Sequence, residues 1–292
     1  MKNVFSDLYK TIEVRQKSNK KNSYTKIKVT GKDMRKICLI IGAGAGIGMA
    51  TARRFAREGY YICLVRRSDQ EGLNKSIQEL TTNGHEAAGF ILDVTKPDEL
   101  EALVEKIETE LGAIDTAVYN VGAQIGDRDL NDTTLKVFEL GWRLGTLGLF
   151  RLAKKLLPYM VERSTGSLLV TGATASVRGN RGQHSHAATM ASRRMLCQSL
   201  NAEFAPKGIH IAHIVIDGLI DAPDTLGKML GPDAFEDLKQ RKGYEKNGLL
   251  VPDQIAESYF HLARQHPSAW THELDLRPYS ALPWWNHVKL DL

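Results

Sequence analysis

A glycine-rich turn between an apolar run and a helical segment is the feature that most constrains how this chain can fold. The turn follows the apolar run Ile37–Ile41 and reads Gly42-Ala43-Gly44-Ala45-Gly46-Ile47-Gly48. Small residues let the backbone turn tightly, so that N–H groups and a helix N-terminus can approach a pyrophosphate. Because a strand precedes the turn and a helix follows it from Met49, the pattern predicts a dinucleotide-binding βαβ unit. The alternative is a glycine turn without a ligand.

Apolar runs and helical segments continue to alternate along the chain. Further strands are predicted at Tyr61–Val65, Ala87–Leu92, Ile114–Tyr119, Leu168–Thr171 and Ile209–Ile216. The longest helical segments between them are Thr133–Arg163 and His186–Ala205. Strands that are apolar on both faces and joined by helices are typical of a parallel sheet with helices on both sides. We therefore expect a doubly wound parallel α/β sheet of the Rossmann type, in a single domain that spans residues 34–292.

The first 33 residues differ in charge from the rest of the chain. Residues 1–33 contain nine Lys or Arg and three Asp or Glu. Residues 34–292 contain 30 Lys or Arg and 31 Asp or Glu. The basic sequence pI of 9.0 therefore comes from the first segment. We interpret residues 1–33 as a basic, disordered extension, with a polyanion-binding arm as the alternative and Met34 as an alternative start. Nucleic-acid binding by the remaining residues is not expected.

Two further properties of the sequence narrow the class of protein. No apolar run approaches the roughly 18 residues that a transmembrane helix needs. The three cysteines are too few for a disulfide framework or a Cys-rich zinc site. We expect a cytoplasmic protein without a metal centre and without membrane contact.

Two arginines at the end of the second predicted strand point to the cofactor. A carboxylate at this place would bind the ribose 2′-hydroxyl of NAD, but the sequence here is Val65-Arg66-Arg67-Ser68. Guanidinium groups form bidentate, charge-assisted hydrogen bonds with phosphate. The pair therefore favours NADP(H) over NAD(H), and a pair of solvated surface arginines is the alternative.

Several motifs, taken together, resemble those of the short-chain dehydrogenase/reductase family over about residues 36–278. They are the glycine motif at 42–48, Asp93-Val94, Tyr119-Asn120-Val121-Gly122, Leu157-Pro158-Tyr159-Met160, the turn at 217–221 and Pro252-Asp253-Gln254-Ile255-Ala256. The resemblance implies that Asp93 and Val94 lie at the adenine ring and that Asn120 and Gly122 belong to the cofactor site. It also implies a homodimer or homotetramer built on the two long helical segments.

The four positions that carry catalysis in that family hold other residues in this chain. The resemblance assigns Tyr as the acid/base, Lys as the group that lowers its pKa and holds the nicotinamide ribose, Ser as the substrate-binding hydroxyl, and Asn as the residue that holds a relay water. By the family's spacing, the Asn position holds Gly145 and the Ser position holds Ala173. The Tyr position holds His186, and the Lys position holds Met190. The sequence has no tyrosine between residues 160 and 243, so a shifted alignment does not restore the set.

His186 is the candidate replacement for the acid. An unperturbed imidazole has a pKa near 6.5, so it can donate a proton near neutral pH without an activating lysine. Thr174 and Ser176 are candidates for the missing substrate-binding hydroxyl. The alternative is that His186 only forms part of the pocket wall.

Two function classes therefore remain open from the sequence. One is an NADP(H)-dependent carbonyl or alcohol oxidoreductase with a non-standard active site. The other is a catalytically inactive cofactor-binding subunit or redox sensor, which the loss of all four catalytic residues favours. The substrate is not identified, although Arg178, Arg181 and His184 beside His186 are compatible with an anionic small molecule.

Overall fold

The computed structural model describes residues 35–122, 129–242 and 246–286, and these form one parallel sheet with helices on both faces. The seven strands are β1 Ile37–Ile41, β2 Tyr61–Arg66, β3 Ala87–Ile91, β4 Ile114–Tyr119, β5 Gly166–Thr171, β6 Ile209–Ile216 and β7 Glu273–Leu276. The nine α-helices of the described residues are α1 Ile47–Ala56, α2 Gln70–Thr82, α3 Glu99–Lys106, α4 Leu135–Trp142, α5 Gly148–Glu162, α6 His184–Phe204, α7 Lys228–Leu230, α8 Pro232–Lys242 and α9 Pro252–Ala263.

The strand order is β3-β2-β1-β4-β5-β6-β7, and neighbouring strands pair in parallel throughout. The predicted doubly wound α/β fold is confirmed. The order reverses between β1 and β4, so the loops that follow these two strands diverge and leave a crevice at the carboxyl edge of the sheet. Ligands of open α/β sheets bind in such a crevice.

Both faces of the sheet are buried, which explains the near-continuous apolar strand sequences. One face, with Leu39 and Val170, packs against α3, α5 and α6, and the other, with Ile40 and Leu169, packs against α1, α2 and α9. All five residues of β1 are at most 1% exposed. This burial fixes the carboxyl edge as a rigid platform for the loops above it.

From the sequence, Ser68 and Thr95 are the predicted N-caps of the second and third helices, with Pro97 in the first turn of the third, and the structure differs at both starts. Asp69, and not Ser68, caps α2, because its carboxylate accepts a hydrogen bond from the Gly72 N–H at 2.9 Å. The next helix begins at Glu99, so Thr95 does not cap it and Pro97 precedes it. The Thr95 hydroxyl instead donates to Asp93 Oδ1 at 2.8 Å, which closes a local turn.

The basic segment 1–33 lies outside the described residues, and its interpretation as a disordered extension stays a prediction. Among the helices that the structure describes, none combines the length and apolarity that crossing a membrane requires.

Candidate functional site

The glycine turn after β1 is shaped by close backbone contacts. Gly42 has φ +91°, and a Cβ there would lie 2.5 Å from the Asn120 carbonyl oxygen. A Cβ on Gly48 would lie 2.5 Å from the Gly42 oxygen. A Cβ on Gly44, in contrast, would meet no atom within 4 Å. The turn is therefore tight on its protein side and open at Gly44, as close approach of a phosphate to the backbone requires.

A cavity of about 440 Å³ opens beside this turn at the switch point of the sheet. Six of the twelve cofactor residues expected from the sequence line it: Gly42, Arg66, Arg67, Asp93, Val94 and Gly122. The other lining residues are apolar: Ile41, Val65, Leu92, Val121, Leu140 and Leu144. Cofactor sites commonly combine such a volume with apolar walls and a few polar groups. The structure thus brings residues from the ends of β1, β2, β3 and β4 together at one site.

The two arginines differ in their surroundings. The Arg66 side chain is only 10% exposed, and its Nε donates to the Ala43 carbonyl at 2.7 Å. Its Nη1 also pairs with Asp69, and the Gly72 N–H together with this guanidinium lowers the pKa of that carboxyl. Arg67 is exposed and lines the cavity. Arg66 therefore braces the glycine turn, while Arg67 is an exposed residue of the cavity wall.

Asn120 connects the sheet to the glycine turn. Its Nδ2 donates to the Gly42 oxygen at 2.9 Å, and its Oδ1 accepts from the Thr171 hydroxyl at 2.9 Å. Both ends of the amide are thus used within the protein. Asn120 shapes the site by holding the Gly42 backbone in place.

The positions of the family's Ser and Lys form a small apolar cluster. Met190, 2% exposed, packs with Ala175, and Ala173 and Ala187 lie against them. Gly145 is buried in a π-helical turn, Arg143–Leu147, between α4 and α5. With Ala at 173 and Met at 190, the cluster supplies neither the substrate-binding hydroxyl nor the ribose-binding ammonium of the family.

The two candidate hydroxyls have different environments. Thr174 donates to Asp217 Oδ1 at 2.7 Å, so its hydroxyl is engaged within the protein. Ser176 Oγ is buried and has no hydrogen-bond partner among the described residues. Of the two, Ser176 is the one whose hydroxyl remains to be satisfied.

His186 lies in the first turn of α6 and is half-buried. Two basic residues that precede α6, Arg178 and Arg181, contact other parts of the chain. Arg181 pairs with Asp129 at 3.2 Å with its side chain 89% exposed, and Arg178 Nη1 approaches the Trp284 carbonyl at 3.5 Å. The carboxylate of Asp129 neutralises part of the positive charge beside His186, so this region is less suited to an anionic substrate than the sequence indicates.

Sequence reasoning missed Arg193, the largest buried polar side chain near the site. A signal was present, because Met190, Arg193, Cys197 and Leu200 recur at helical spacing and all four are buried on α6. An arginine in such a stripe calls for internal acceptors. It was missed because its acceptors are backbone carbonyls, which sequence does not display.

A buried histidine lies below the loop that carries Ala173. A Cβ on Gly172 would lie 2.2 Å from His213 Nε2. His213 Nδ1 is 3.2 Å from Glu273, whose carboxylate accepts two hydrogen bonds from Arg194 at 2.6 and 2.8 Å. Burial lowers the pKa of His213 to about 4.

This histidine makes stability dependent on pH. Below about pH 6.5 the unfolded chain takes up a proton that folded His213 does not take up until about pH 4. Stability therefore falls as the pH drops through this window, by up to about 3 kcal/mol from this group. We expect Tm to fall between pH 7 and pH 4.5 and His213→Asn to reduce that slope. Thermal unfolding across this range tests it, and an unchanged slope would contradict it.

Met190→Lys tests whether position 190 still accommodates a cation. We expect a loss of about 3–5 kcal/mol, because the ammonium would be buried in an apolar cluster without a counter-charge. Met190→Leu is the control and should lose less than about 1.5 kcal/mol, because it conserves volume and polarity. Urea unfolding measures both. Equal stability of wild type and Met190→Lys would mean that the ammonium finds an acceptor there.

Comparison with known proteins agrees with this geometry. The sequence model described as short chain dehydrogenase matches residues 36–225, more than half of the chain. The 3-oxoacyl-(acyl-carrier-protein) reductase of Thermotoga maritima is 29% identical over 237 residues, which cover 80% of this chain and 92% of that protein.

Solved structures give the same result. An alcohol dehydrogenase from the archaeon Thermococcus sibiricus, complexed with 5-hydroxy-NADP, has a TM-score of 0.72 and 27% identity, covering 85% of this chain and 99% of its own. A variant of the actinorhodin polyketide ketoreductase with NADPH has a TM-score of 0.75 and 25% identity, and the match covers 84% of this chain and 97% of the ketoreductase chain. Both neighbours therefore carry a phosphorylated nicotinamide dinucleotide.

Proposed function

The chain belongs to the short-chain dehydrogenase family, and we propose that it is an NADP(H)-dependent carbonyl or alcohol oxidoreductase in which His186 is the proton donor. The observation that carries the proposal is the cavity at the switch point, with the glycine turn at one wall and Arg67 at another. The NADP-type ligands of two structural neighbours support the choice of cofactor.

The residues present fit a phosphorylated dinucleotide. The open face at Gly44 and the N-terminus of α1 suit a pyrophosphate. Arg67 suits a 2′-phosphate, and Asp93 and Val94, which line the same cavity, are the residues we assign to the adenine ring. Arg66 contributes indirectly, because it holds the Ala43 carbonyl and thereby the turn. The bound cofactor would supply the hydride.

The chain's own residues then have to orient the carbonyl and deliver a proton. His186 donates from its imidazolium to the developing alkoxide, so its charged form is the active form in reduction. Ser176 is the candidate hydroxyl for the substrate oxygen, because Thr174 is engaged by Asp217. Since Ser176 Oγ is buried, this contact requires the loop that carries it to shift. Without the family's lysine, the proton donor relies on its intrinsic acidity.

The test of this function is hydride transfer. The purified protein is incubated with NADPH deuterated at C4 of the nicotinamide and a panel of ketones and aldehydes. We expect deuterium on the carbinol carbon of at least one product. No transfer from either face of the ring to any carbonyl, with NADPH still bound, would favour a cofactor-binding role without catalysis.

We also propose that the protein is a homodimer or homotetramer assembled through the long helices. Large apolar side chains are exposed on these helices, at Leu135, Phe138 and Trp142 of α4, Phe150 of α5 and Met195 of α6, and we take them as the proposed assembly surface. A surface of this kind is typical of a protein interface.

Phe150→Asp should convert the assembly to smaller species, because it places a charge in the apolar surface. Tyr279→Asp is the control, since Tyr279 is 83% exposed and lies outside this surface. Light scattering after size exclusion measures the mass. A monomeric wild type, or an unchanged mass for Phe150→Asp, would contradict this assembly.

A further inference from the structure

Arg193 is a fully buried arginine whose guanidinium donates hydrogen bonds to three backbone carbonyls. It is 1% exposed. Nε donates to Gly145 at 2.9 Å, Nη1 to Thr171 at 2.7 Å and Nη2 to Val121 at 2.9 Å. Burying a cation in this way is costly unless each contact is made, so the residue is informative about the surrounding structure.

The three acceptors belong to three different segments. Val121 follows β4, Thr171 is the last residue of β5, and Gly145 lies in the π-helical turn between α4 and α5. Val121 and Leu144, the neighbour of Gly145, line the same cavity as Arg67. A single side chain from α6 thus connects the walls of the cavity at the carboxyl edge of β4 and β5.

Tyr119 completes this arrangement. Its hydroxyl donates to the Leu144 carbonyl, and its ring lies 5.3 Å from the Arg193 guanidinium. Two adjacent carbonyls of the π-helical turn, Leu144 and Gly145, are therefore held by two buried side chains. Turns of this type often mark functional sites, because they depart from the regular helical hydrogen bonding.

Arg193 is also linked geometrically to the proposed acid. His186 and Arg193 are seven residues apart on α6, which is two helical turns on the same face. The hydrogen bonds of Arg193 fix that face of α6 relative to β4, β5 and the α4–α5 junction. This attachment therefore also constrains the first turn of α6, which carries His186.

We propose that Arg193 is a positioning residue for the nicotinamide half of the cofactor site, where it fixes α6 and the ends of β4 and β5 against the π-helical turn. The inference rests on the proposed NADP(H) function. The acceptors of the Arg193 guanidinium are Gly145, Thr171 and Val121, and none of them belongs to the glycine turn, Arg67 or Asp93. We therefore expect the adenosine half, which those three features form, to depend on Arg193 less than the nicotinamide half does.

The test compares two ligands by calorimetric titration. NADPH occupies both halves of the site, whereas 2′,5′-ADP occupies only the adenosine half. For Arg193→Met we expect NADPH affinity to fall by about tenfold or more while 2′,5′-ADP affinity stays within about twofold. Arg194→Met is the matched control, because Arg194 pairs with Glu273, the first residue of β7. This substitution should change neither affinity.

Arg193→Lys is the second variant and keeps the comparison informative if Arg193→Met does not fold. A lysine retains the charge but cannot reach three acceptors in fork geometry, so we expect a smaller, still NADPH-specific loss. Equal losses for both ligands in a folded variant, or no loss for NADPH, would overturn the positioning role. Failure of the wild-type protein to bind either ligand would instead overturn the proposed function.

Discussion

Replacing His186 by phenylalanine is expected to lower NADPH-dependent carbonyl reduction by about 10²–10⁴-fold, the usual contribution of a positioned general acid. NADPH affinity should stay unchanged, because His186 lies outside the residues that line the cofactor cavity. His261→Phe is the control, since His261 is exposed on α9. Steady-state rates with a saturating carbonyl measure the effect, and equal rates for wild type and His186→Phe would exclude His186 as the acid.

The pH profile provides a second readout of the same residue. Since the imidazolium is the donor, reduction should fall with rising pH as His186 loses its proton. Alcohol oxidation requires the neutral imidazole as base and should rise over the same range. A rate of reduction that does not change between pH 5.5 and 8 would contradict the assignment.

Replacing Arg67 by alanine is expected to weaken NADPH binding by about 10- to 100-fold, because charge-assisted hydrogen bonds to the 2′-phosphate are lost. NADH affinity should stay within about twofold, since NADH has no group at that place. Arg67 is the better position for this test than Arg66. Substitution of Arg66 would also release the Ala43 carbonyl and Asp69 and so disturb the glycine turn.

Arg57→Ala is the matched control for charge. Arg57 is exposed at the C-terminal end of α1, opposite the end that faces the cavity. Fluorescence titration with both cofactors measures the four affinities. A parallel loss of NADPH and NADH binding in Arg67→Ala would show that Arg67 does not recognise the 2′-phosphate.

The sheet and its ligand edge were accessible from the sequence because both depend on local patterns. Strands such as β4 and β6 are predominantly apolar, and their predicted bounds agree with the structure. The helix starts were less accessible. Ser68 and Asp69 are both capable caps, and only the Gly72 contact distinguishes them.

The catalytic half of the site was accessible only as a list of replaced residues. The sequence identified Ala173 and Met190, but not that they pack into one apolar cluster, because that contact joins a loop to a helix. It also left Thr174 and Ser176 equivalent, until the Asp217 contact separated them. Long-range contacts of this kind are not encoded in spacing.

A crystal structure of the protein with NADPH tests the proposed oxidoreductase function most directly. We expect the 2′-phosphate on Arg67, the pyrophosphate at the open face of Gly44, and an ordered nicotinamide ring within reach of His186. An adenosine half bound in this way with a nicotinamide ring that is disordered, or separated from His186 by the Ala173–Met190 cluster, would contradict an oxidoreductase that uses His186.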